Sequence, residues 1–518
     1  MSGQNNGERK HLFGTTEKSD FILNMSQEQT YKFCGLYSII AIAVLLAINI
    51  PYTFVKHTFD YVNDDGNKMY ADSIFADYAS ILVVGAGLIG FWFFLVGRMK
   101  KEVIISKNRS LSIIVLVIAV SAWSMFASGN ISTGFFGYLD RSEGLLTILA
   151  YWGFFAAGMA VTGDKWRMKF TDFIVAAGLL NAVVGILQAI PALYDVVPNK
   201  FKDLFIRLGE KTLTDNEVFI EGEGIFEKGY ASTGFLITPY ALAAVMTISF
   251  ALAASGFVFD KSGKKKVFYG VSAVACTTAA VLTKTVVGMI GIGAAVLAVL
   301  VIALVSISAK KQKKPLALAL GITLAAGVCV ISLLASGAAE LKDEEVIYTD
   351  TIYRLSAGNL TDGKPRGNDT ELWIYPYLWN DGAYVIELHP ITGVGPDNWN
   401  AMLDEAKCTS DRSFNEYIDV AMQRGIICLG LYVIFLIITL KKAICAVGRH
   451  FKDGEKVSWA AVGILTALIG YIVQAFFSSG SNYSSPYFFL IAGIAWSYFA
   501  AENKAAKQGK AKGKAKTA

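Results

Sequence analysis

The segment ELHPITGVGPDNW, residues 387–399, combines a side chain that could do chemistry with residues that bend the backbone. His389 could take a proton from a substrate, or it could simply pack against its neighbours. Gly393 and Gly395 permit a tight turn or a close backbone approach, and Pro396, like the proline beside His389, would break or redirect a helix. The composition therefore predicts an irregular turn that aims neighbouring helices over a cavity open to both lipid and water.

A set of arginines outside the apolar runs could bind an anion. A guanidinium is always charged, and its planar fork matches two phosphate oxygens at once. Near a membrane surface, the set would suit a lipid-linked diphosphate. The alternative for each arginine alone is a structural ion pair, because residues 337–422 hold sixteen Asp and Glu against six Lys and Arg. The set consists of Arg141, Arg207, Arg354, Arg366 and Arg412.

The elements that must position these residues are predicted to be membrane helices. Hydrophobic residues make up 54% of the 518 residues and charged residues only 17%, whereas a soluble chain has about 25% charged residues. Apolar runs of about 18 residues or more predict spanning helices. Twelve such runs lie at residues 33–54, 76–97, 110–128, 144–162, 170–190, 234–257, 267–283, 286–308, 315–336, 423–440, 457–478 and 484–501.

The distribution of basic residues predicts the orientation of these helices. Short cytoplasmic loops are rich in Lys and Arg, and every second loop of this chain is basic, whereas the short loops between them hold few basic residues. An even number of helices then places both termini on the cytoplasmic side, where a basic C-terminal tail is expected. The basic loops are residues 98–109, 163–169, 260–266, 309–314 and 441–456.

The predicted fold class is an all-α integral membrane protein with a large extracytoplasmic helical loop between helices nine and ten. Residues 337–422 form this loop, which contains a pattern typical of a helix lying on the membrane surface. Residues 33–336 hold helices one to nine, and residues 423–501 hold helices ten to twelve. The polar residues 1–32 and the basic residues 502–518 are predicted cytoplasmic segments.

Several absences narrow the function. The sequence has no GxxxxGK[ST] loop for cradling phosphates, and Cys408 is the only thiol clearly in an outer loop, so no Cys/His metal site is readily assembled there. We therefore predict no cofactor, no metal and no nucleic-acid partner. Ion-coupled transporters place ionisable groups near the membrane midplane, but the main polar residues within these spans are Asn181, Gln188 and Gln474. This counts against a twelve-helix transporter or a lipid-linked-oligosaccharide flippase, which stays the alternative.

Two motifs in a fixed order resemble the core signature of the O-antigen ligase and polysaccharide polymerase family of bacterial membrane proteins. HPITGVGPDNW at 389–399 resembles the family's hPltGvGpgnf-like stretch, and RSFNEYIDVAMQRGIICLGL at 412–431 resembles its HNeYlqiaverGilGl-like stretch. FFGYLDRSEGLL at 135–146 and GEGIFEKGYASTGFLITPYALAA at 222–244 resemble further family features. The resemblance covers the chain from about residue 110 to 500.

The resemblance implies glycosyl transfer on the outer face of the bacterial plasma membrane, with inversion at the donor sugar and a polyprenyl diphosphate as leaving group. Such a donor arrives already activated, so the chemistry needs neither a nucleotide nor a metal. The partners would be a polyprenyl-diphosphate-linked glycan, a glycan or other acceptor, and the lipid bilayer. The implied diphosphate-binding residues are Arg141, Arg366 and Arg412, with Arg207 and Lys284 behind them, and the motif residues are Gly393, Gly395, Pro396, Asn415 and Gly425.

Two departures from the family pattern affect the mechanism. Phe414 occupies the position of the His that is the family's proposed general base. The residues left to accept the proton are Glu416, Asp411 and His389. The stretch LTKTVVGM stands where the family commonly has a Ser-Arg pair, with Lys284 as the nearest basic residue. Both departures favour polymerisation over ligation, although the same chemistry could join a finished glycan to a lipid, a wall polymer or a protein.

The aromatic residues of the large loop have two interpretations. They could stack on sugar faces, or they could anchor the loop at the level of the lipid headgroups. We favour anchoring for most of them. They are Trp373, Tyr375, Tyr377, Trp379 and Trp399.

Overall fold

Helices make up most of the residues that the computed structural model describes. The described residues are 27–47, 59–62, 68–71, 81–92, 111–137, 142–161, 163–190, 193, 211–213, 219–221, 232–236, 238–260, 262–310, 314–335, 371–398, 413–452 and 458–498. Their helices are α1 (Gln27–Ala47), α2 (Ile81–Trp92), α3 (Ser112–Ala127), α4 (Ile131–Phe136), α5 (Leu145–Ala160), α6 (Asp164–Gln188), α7 (Pro239–Phe259), α8 (Gly263–Leu282), α9 (Val286–Lys310), α10 (Lys314–Ala335), α11 (Glu371–Leu388), α12 (Glu416–Lys452), α13 (Trp459–Gln474) and α14 (485–498).

The helices follow the predicted membrane frame. Each of the twelve predicted spans overlaps one of them, and α4 and α11 are additional. By length and composition, five described helices could cross a membrane, at Asp164–Gln188, Pro239–Phe259, Val286–Ser306, Lys314–Ser332 and Glu416–Gly448. The prediction of a helical, multi-pass membrane protein is confirmed at this level.

Two short hairpins differ from the all-α prediction. Antiparallel strands β1 (Phe59–Val62) and β2 (Lys68–Ala71) form one, and β3 (Lys211–Leu213) and β4 (Phe219–Glu221) form the other. Each strand has only three or four residues, which is too short for a clear alternation of apolar and polar residues. The sequence NDDGN between β1 and β2, which is rich in turn-forming residues, could have indicated the first hairpin.

Helix α7 is the centre of the described bundle. Thr238 caps its first turn by accepting a hydrogen bond from the N–H of Ala241, and Pro239 follows at a position where no N–H is needed. Almost every α7 side chain is buried, and the helix packs against α6, α8, α9, α10 and α13. Its many Ala and Ser residues are small enough for helices to approach closely, as in other membrane bundles.

Helix α5 shows the closest of these approaches. A Cβ atom built on Gly153 would lie 1.9 Å from the carbonyl oxygen of Gly87 in α2, and one on Gly158 would lie 2.1 Å from that of Leu490 in α14. No real Cβ atom tolerates such distances, so glycine is required at both positions. The contacts fix α5, whose N-terminus borders the candidate site, against its two neighbours.

An aromatic cluster joins α5, α12 and α14. Trp152 lies edge-on to Phe435 and to Phe489, with ring centroids 4.8 and 5.0 Å apart. The indole N–H of Trp496 donates to the Thr439 hydroxyl at 2.9 Å. Edge-to-face pairs of this kind contribute about 0.5–1.5 kcal/mol each beyond area burial. Two members of the cluster, Trp152 and Phe489, line the cavity described below. The cluster therefore forms a tightly packed part of the cavity wall.

Two of the polar residues within the predicted spans support irregular backbone. Gln188 accepts the N–H groups of Thr233 (3.0 Å) and Gly234 (2.9 Å), and Asn181 accepts the N–H of Phe235 at 3.1 Å. Non-helical backbone at membrane depth is tolerated only where protein or water satisfies its polar groups. Asn181 and Gln188 are therefore structural, and they hold the segment 232–236 in front of α7.

The most exposed spans are apolar on their outer faces. In α10, Leu324 is 70% exposed and Ile331 68%, and in α12 Ile437 is 59% exposed. Apolar surface of this extent marks an interaction surface on a soluble protein, whereas it is the expected surface of a helix in contact with lipid tails.

Candidate active site

The predicted turn is a docked segment. Residues 389–398 follow α11 and lie along the chain around Gly425 of α12. Because the two stretches exchange backbone hydrogen bonds, the signature motifs form one unit. The bonds run from the N–H of Val394 to Met422 O (2.9 Å), from the N–H of Gly395 to Gln423 O (2.9 Å) and from the N–H of Ile426 to Pro390 O (2.8 Å).

Glycine is required where the two stretches meet. Gly393 and Gly425 have φ of +65° and +80°, a region that side chains disfavour. A Cβ atom on Gly393 would lie 2.4 Å from the backbone of Gln423, and one on Gly425 would lie 1.9 Å from the carbonyl oxygen of Ile391. Both motif glycines thus serve a close backbone approach.

Neighbouring elements clamp the docked segment from the other side. The Asn130 side chain just ahead of α4 donates to Asn398 Oδ1 of the segment at 3.2 Å. From α3, the Ser124 hydroxyl donates to the carbonyl oxygen of Gln423 in the adjoining α12 at 2.8 Å. Asp397, which is 1% exposed, accepts the N–H of Glu143 at 3.0 Å, just ahead of α5. Pro396 is also buried. The segment therefore connects α3, α5, α11 and α12 at one end of the bundle.

Helix α12 is broken at Gly425, near the start of the predicted span at residues 423–440. Gly425 has φ 80° and ψ 165°, so residues 416–424 and 426–452 are separate helical pieces. The Tyr432 hydroxyl donates to Glu416 Oε1 at 2.5 Å across sixteen residues. In a straight helix, sixteen residues would span about 24 Å. The short piece therefore folds back along the long one, and this brings Glu416 inside the protein.

Asn415 caps the short piece of α12. Its side-chain oxygen accepts the N–H groups of Tyr417 (3.0 Å) and Ile418 (3.2 Å), as Asn commonly does at a helix start. The Ser413 hydroxyl donates to Asp419 Oδ1 at 2.7 Å and reinforces the same turn. The motif Asn is thus a structural residue that fixes where Glu416 begins the helix.

Phe414 occupies a strained and apolar position. Its φ is +49°, which is an outlier for a bulky residue but more common for His. The ring is 3% exposed and packs against Tyr240, with centroids 4.9 Å apart, and against Val287 and Leu378. An aromatic hydrocarbon ring cannot accept a proton, so position 414 supplies no base. Strain of this kind is concentrated at functional sites.

Glu416 is buried in the wall of a cavity. The carboxylate accepts hydrogen bonds from Tyr432 and, at 3.1 Å, from Tyr471, and its backbone N–H bonds to Ala475 O and Ser478 O. The residue is 8% exposed. Charged side chains lining the cavity are Glu143, Asp397, Glu416, Asp419 and Arg424.

The cavity suits proton transfer at a hydroxyl group. Its volume of about 70 Å³ exceeds the roughly 10–15 Å³ that one water molecule needs in the same measure. It can therefore admit a hydroxyl group together with water. A carboxylate has about four acceptor positions, so Glu416 keeps capacity for a proton beside its two tyrosine bonds.

The structure brings only some of the predicted residues together. Glu416 lines the cavity, and Asn415, Gly393, Gly395, Pro396 and Gly425 build the backbone around it. His389 is half-buried at the end of α11 and does not line the cavity. Lys284 lies in the turn before α9, with φ +56°, and does not line it either. Outside the described residues lie Asp411, Arg141, Arg207, Arg354, Arg366, Arg412 and Trp399.

Among the aromatic residues of the large loop, Trp379 makes a contact within the part of the chain that the structure describes. Its ring packs against Phe477, with centroids 5.7 Å apart, beside the Phe414 cluster. Trp379 is therefore a packing residue in this arrangement. Trp373, Tyr375 and Tyr377 belong to α11, but their side chains lie outside the described part of the chain.

Several polar residues of this site were not predicted, among them Glu143 and Asp397. Asp419 and Arg424 lie three and eight residues after Glu416, a spacing that places them on one helix face, so the sequence held a usable signal. Tyr432 and Tyr471 gave none, because they reach Glu416 only through the break at Gly425 and the packing of α13.

Comparison with known families agrees with the sequence motifs. Residues 271–433 match a family model described as O-antigen ligase. The matched region runs from α8 into α12 and includes the docked segment and the break at Gly425. The match supports the predicted assignment to the O-antigen ligase and polymerase family. At family level it supports polysaccharide ligation or polymerisation by a glycosyltransferase-like membrane enzyme acting on a lipid-linked glycan. No curated protein matches the chain.

Proposed function

We propose, from the match of residues 271–433 to the O-antigen ligase family model, that this protein transfers a glycan from a polyprenyl diphosphate to an acceptor hydroxyl outside the cytoplasm. The single observation that carries the proposal is the Glu416 carboxylate. It is buried, lies in the family signature, and lines a cavity that can admit a hydroxyl group.

The proposed reaction is a single displacement. The acceptor hydroxyl gives its proton to Glu416 while its oxygen attacks the anomeric carbon of the donor. The bond from that carbon to the diphosphate breaks on the opposite face, so the configuration inverts and the diphosphate leaves with the electron pair. Arg141, Arg366 and Arg412, with Arg207 and Lys284 behind them, would offset the charge that grows on the leaving group.

Glu416 is a better candidate for the base than His389. His389 does not line the cavity, and its backbone N–H and carbonyl close the end of α11 and the turn to Gly393. Asp411 lies outside the described residues and is the next residue to test. Of the two candidates that the structure describes, Glu416 lines the cavity in a fixed orientation and His389 does not line it.

Polymerisation is the favoured form of the reaction. A ligase of this family would carry a His base at position 414, where this chain has Phe414 in an apolar cluster with Val287 and Leu378. The usual Ser-Arg pair is likewise absent before α9, where the sequence has Lys284. The absence of both features favours polymerisation, in which lipid-linked units are joined repeatedly and a residue other than 414 takes the proton.

The decisive assay mixes purified protein with a lipid-linked repeat unit and separates the products by size. We expect a ladder of polymers, because each product still carries a lipid diphosphate and can react again. A single transfer to a different acceptor would instead indicate ligation. Movement of the lipid-linked unit across a vesicle membrane with no new bond would overturn the enzyme proposal in favour of a transporter or flippase.

The membrane topology is part of the proposal. We place twelve spans in the bacterial plasma membrane, with both termini in the cytoplasm and residues 337–422 outside. The cavity end of the bundle, including the serine-rich stretch 478–485, would then face outward, where lipid-linked glycans are joined.

Cysteine labelling tests this orientation. In a variant without the six native cysteines, we expect Ser481→Cys and Asn359→Cys to react with an impermeant thiol reagent added to cells that lack an outer-membrane barrier. Gly263→Cys at the start of α8 should react only after permeabilisation, since its loop is basic. Asn359 lies outside the described residues and provides an independent report on the large loop. Labelling at position 263 alone in intact cells would reverse the orientation.

A further inference from the structure

Both oxygens of the Glu416 carboxylate are held by tyrosines from different helices. Tyr432 comes from the long piece of α12 and bonds to Oε1, while Tyr471 comes from α13 and bonds to Oε2. The two hydroxyls act as donors on a carboxylate that is 8% exposed. The carboxylate plane is therefore fixed at two points, by residues that lie 16 and 55 positions further along the chain.

The tyrosine rings are themselves immobilised. Tyr471 stacks on Phe488 of α14, with ring centroids 4.3 Å apart and an angle of 14° between the planes. Tyr432 is 5% exposed and lies parallel to Phe435, which belongs to the aromatic cluster beneath the cavity. Since packing fixes both rings, their hydroxyls aim at one place, and the carboxylate must adopt the orientation they define.

We propose that Tyr432 and Tyr471 are positioning residues that hold Glu416 in the orientation needed for proton transfer; the inference rests on the proposed function. Each donor occupies one acceptor position of one oxygen, which leaves the remaining positions for the substrate proton. A misplacement of about 1 Å at a reacting group can cost on the order of 10²-fold in rate. Binding of the lipid-linked donor, which uses other groups, does not depend on these hydroxyls.

The charged surroundings of Glu416 define what a pH profile would report. Arg424 and Asp419 lie on its own short helix, Glu143 and Asp397 line the same cavity, and the Tyr417 side chain leaves toward α13. Replacing a tyrosine with Phe leaves all these groups in place. It removes the hydrogen bond that favours the ionised carboxylate, and in Tyr471→Phe also the bond of that hydroxyl to Ser485. The activity should then need a higher pH to reach its plateau.

The experiment compares Tyr432→Phe and Tyr471→Phe with wild type in the ladder assay. We expect kcat to fall about 10- to 100-fold with KM nearly unchanged, and the acid limb of the pH–rate profile to move up by about 0.5–1 pH unit. Tyr487→Phe is the matched control. Tyr487 is fully buried, and its hydroxyl has no hydrogen-bond partner among the described residues, so kcat and the pH profile should stay as in wild type.

The outcomes separate the two proposals. Wild-type kcat and an unmoved acid limb in both tyrosine variants, while Glu416→Gln is inactive, would overturn the positioning role and leave the proposed function standing. An inactive wild-type enzyme would overturn both. Thermal unfolding of each variant in detergent identifies any variant that fails to fold. If one of the two tyrosine variants fails, the kcat and the pH profile of the other decide the question.

Discussion

Replacing Glu416 with Gln should lower the rate of glycosyl transfer by about 10²–10⁴-fold, the usual contribution of a general base. The amide keeps the size of the side chain and can still accept from Tyr432 or Tyr471, but it cannot take the acceptor proton. Binding of the lipid-linked donor should change little, because the diphosphate and its lipid contact other groups. Single-turnover kinetics and a donor-binding titration on the same protein measure the two quantities separately.

Two companion variants sharpen this test. His389→Ala should have a milder effect, since that side chain does not line the cavity and can act only through packing near Gly393. Phe414→His would place an imidazole in the apolar cluster with Tyr240 and Val287, and we expect it neither to restore activity to Glu416→Gln nor to raise the wild-type rate. Near-normal turnover in Glu416→Gln would show that proton removal occurs elsewhere, with Asp411 as the next candidate.

Replacing Gly425 with Ala should abolish activity and destabilise the protein. Alanine strongly disfavours φ 80° with ψ 165°, a combination essentially reserved for glycine that costs about 1–3 kcal/mol. Its Cβ would also lie 1.9 Å from the carbonyl oxygen of Ile391. Relief requires the docked segment to move away or the break in α12 to close, and either change separates Glu416 from Tyr432.

Gly430→Ala is the matched control for that substitution. Gly430 lies five residues later in the same helix, and a Cβ atom there would meet nothing within 4 Å. In a regular helix, Gly to Ala is favourable by about 0.8–1.0 kcal/mol, so unfolding should occur at the same or a higher temperature and turnover should persist. Equal activity and stability for Gly425→Ala and Gly430→Ala would contradict the docked arrangement of residues 389–398.

The sequence by itself indicated a helical, multi-pass membrane protein and its resemblance to the O-antigen ligase family. Apolar runs of sufficient length form helices because lipid leaves no other way to satisfy the backbone, and this is a local property that any window of residues reveals. The motifs around Gly393 and Gly425 could also be recognised from the sequence. Glycine is favoured where φ is positive or where another backbone segment approaches closely. The face shared by Glu416, Asp419 and Arg424 could also be derived from helical spacing alone.

Only the tertiary structure decided how those residues meet. Glu416 reaches Tyr432 because Gly425 folds the short helix back, and it reaches Tyr471 because α13 packs beside it. Phe414 could be identified as an odd residue, but its apolar cluster is assembled from α7, α9 and α11. Asn181 and Gln188 are polar residues within predicted spans, and only the structure shows that they accept hydrogen bonds from the N–H groups of residues 233–235. Contacts between distant segments depend on the angle and depth at which helices pack, and no window of sequence contains that information.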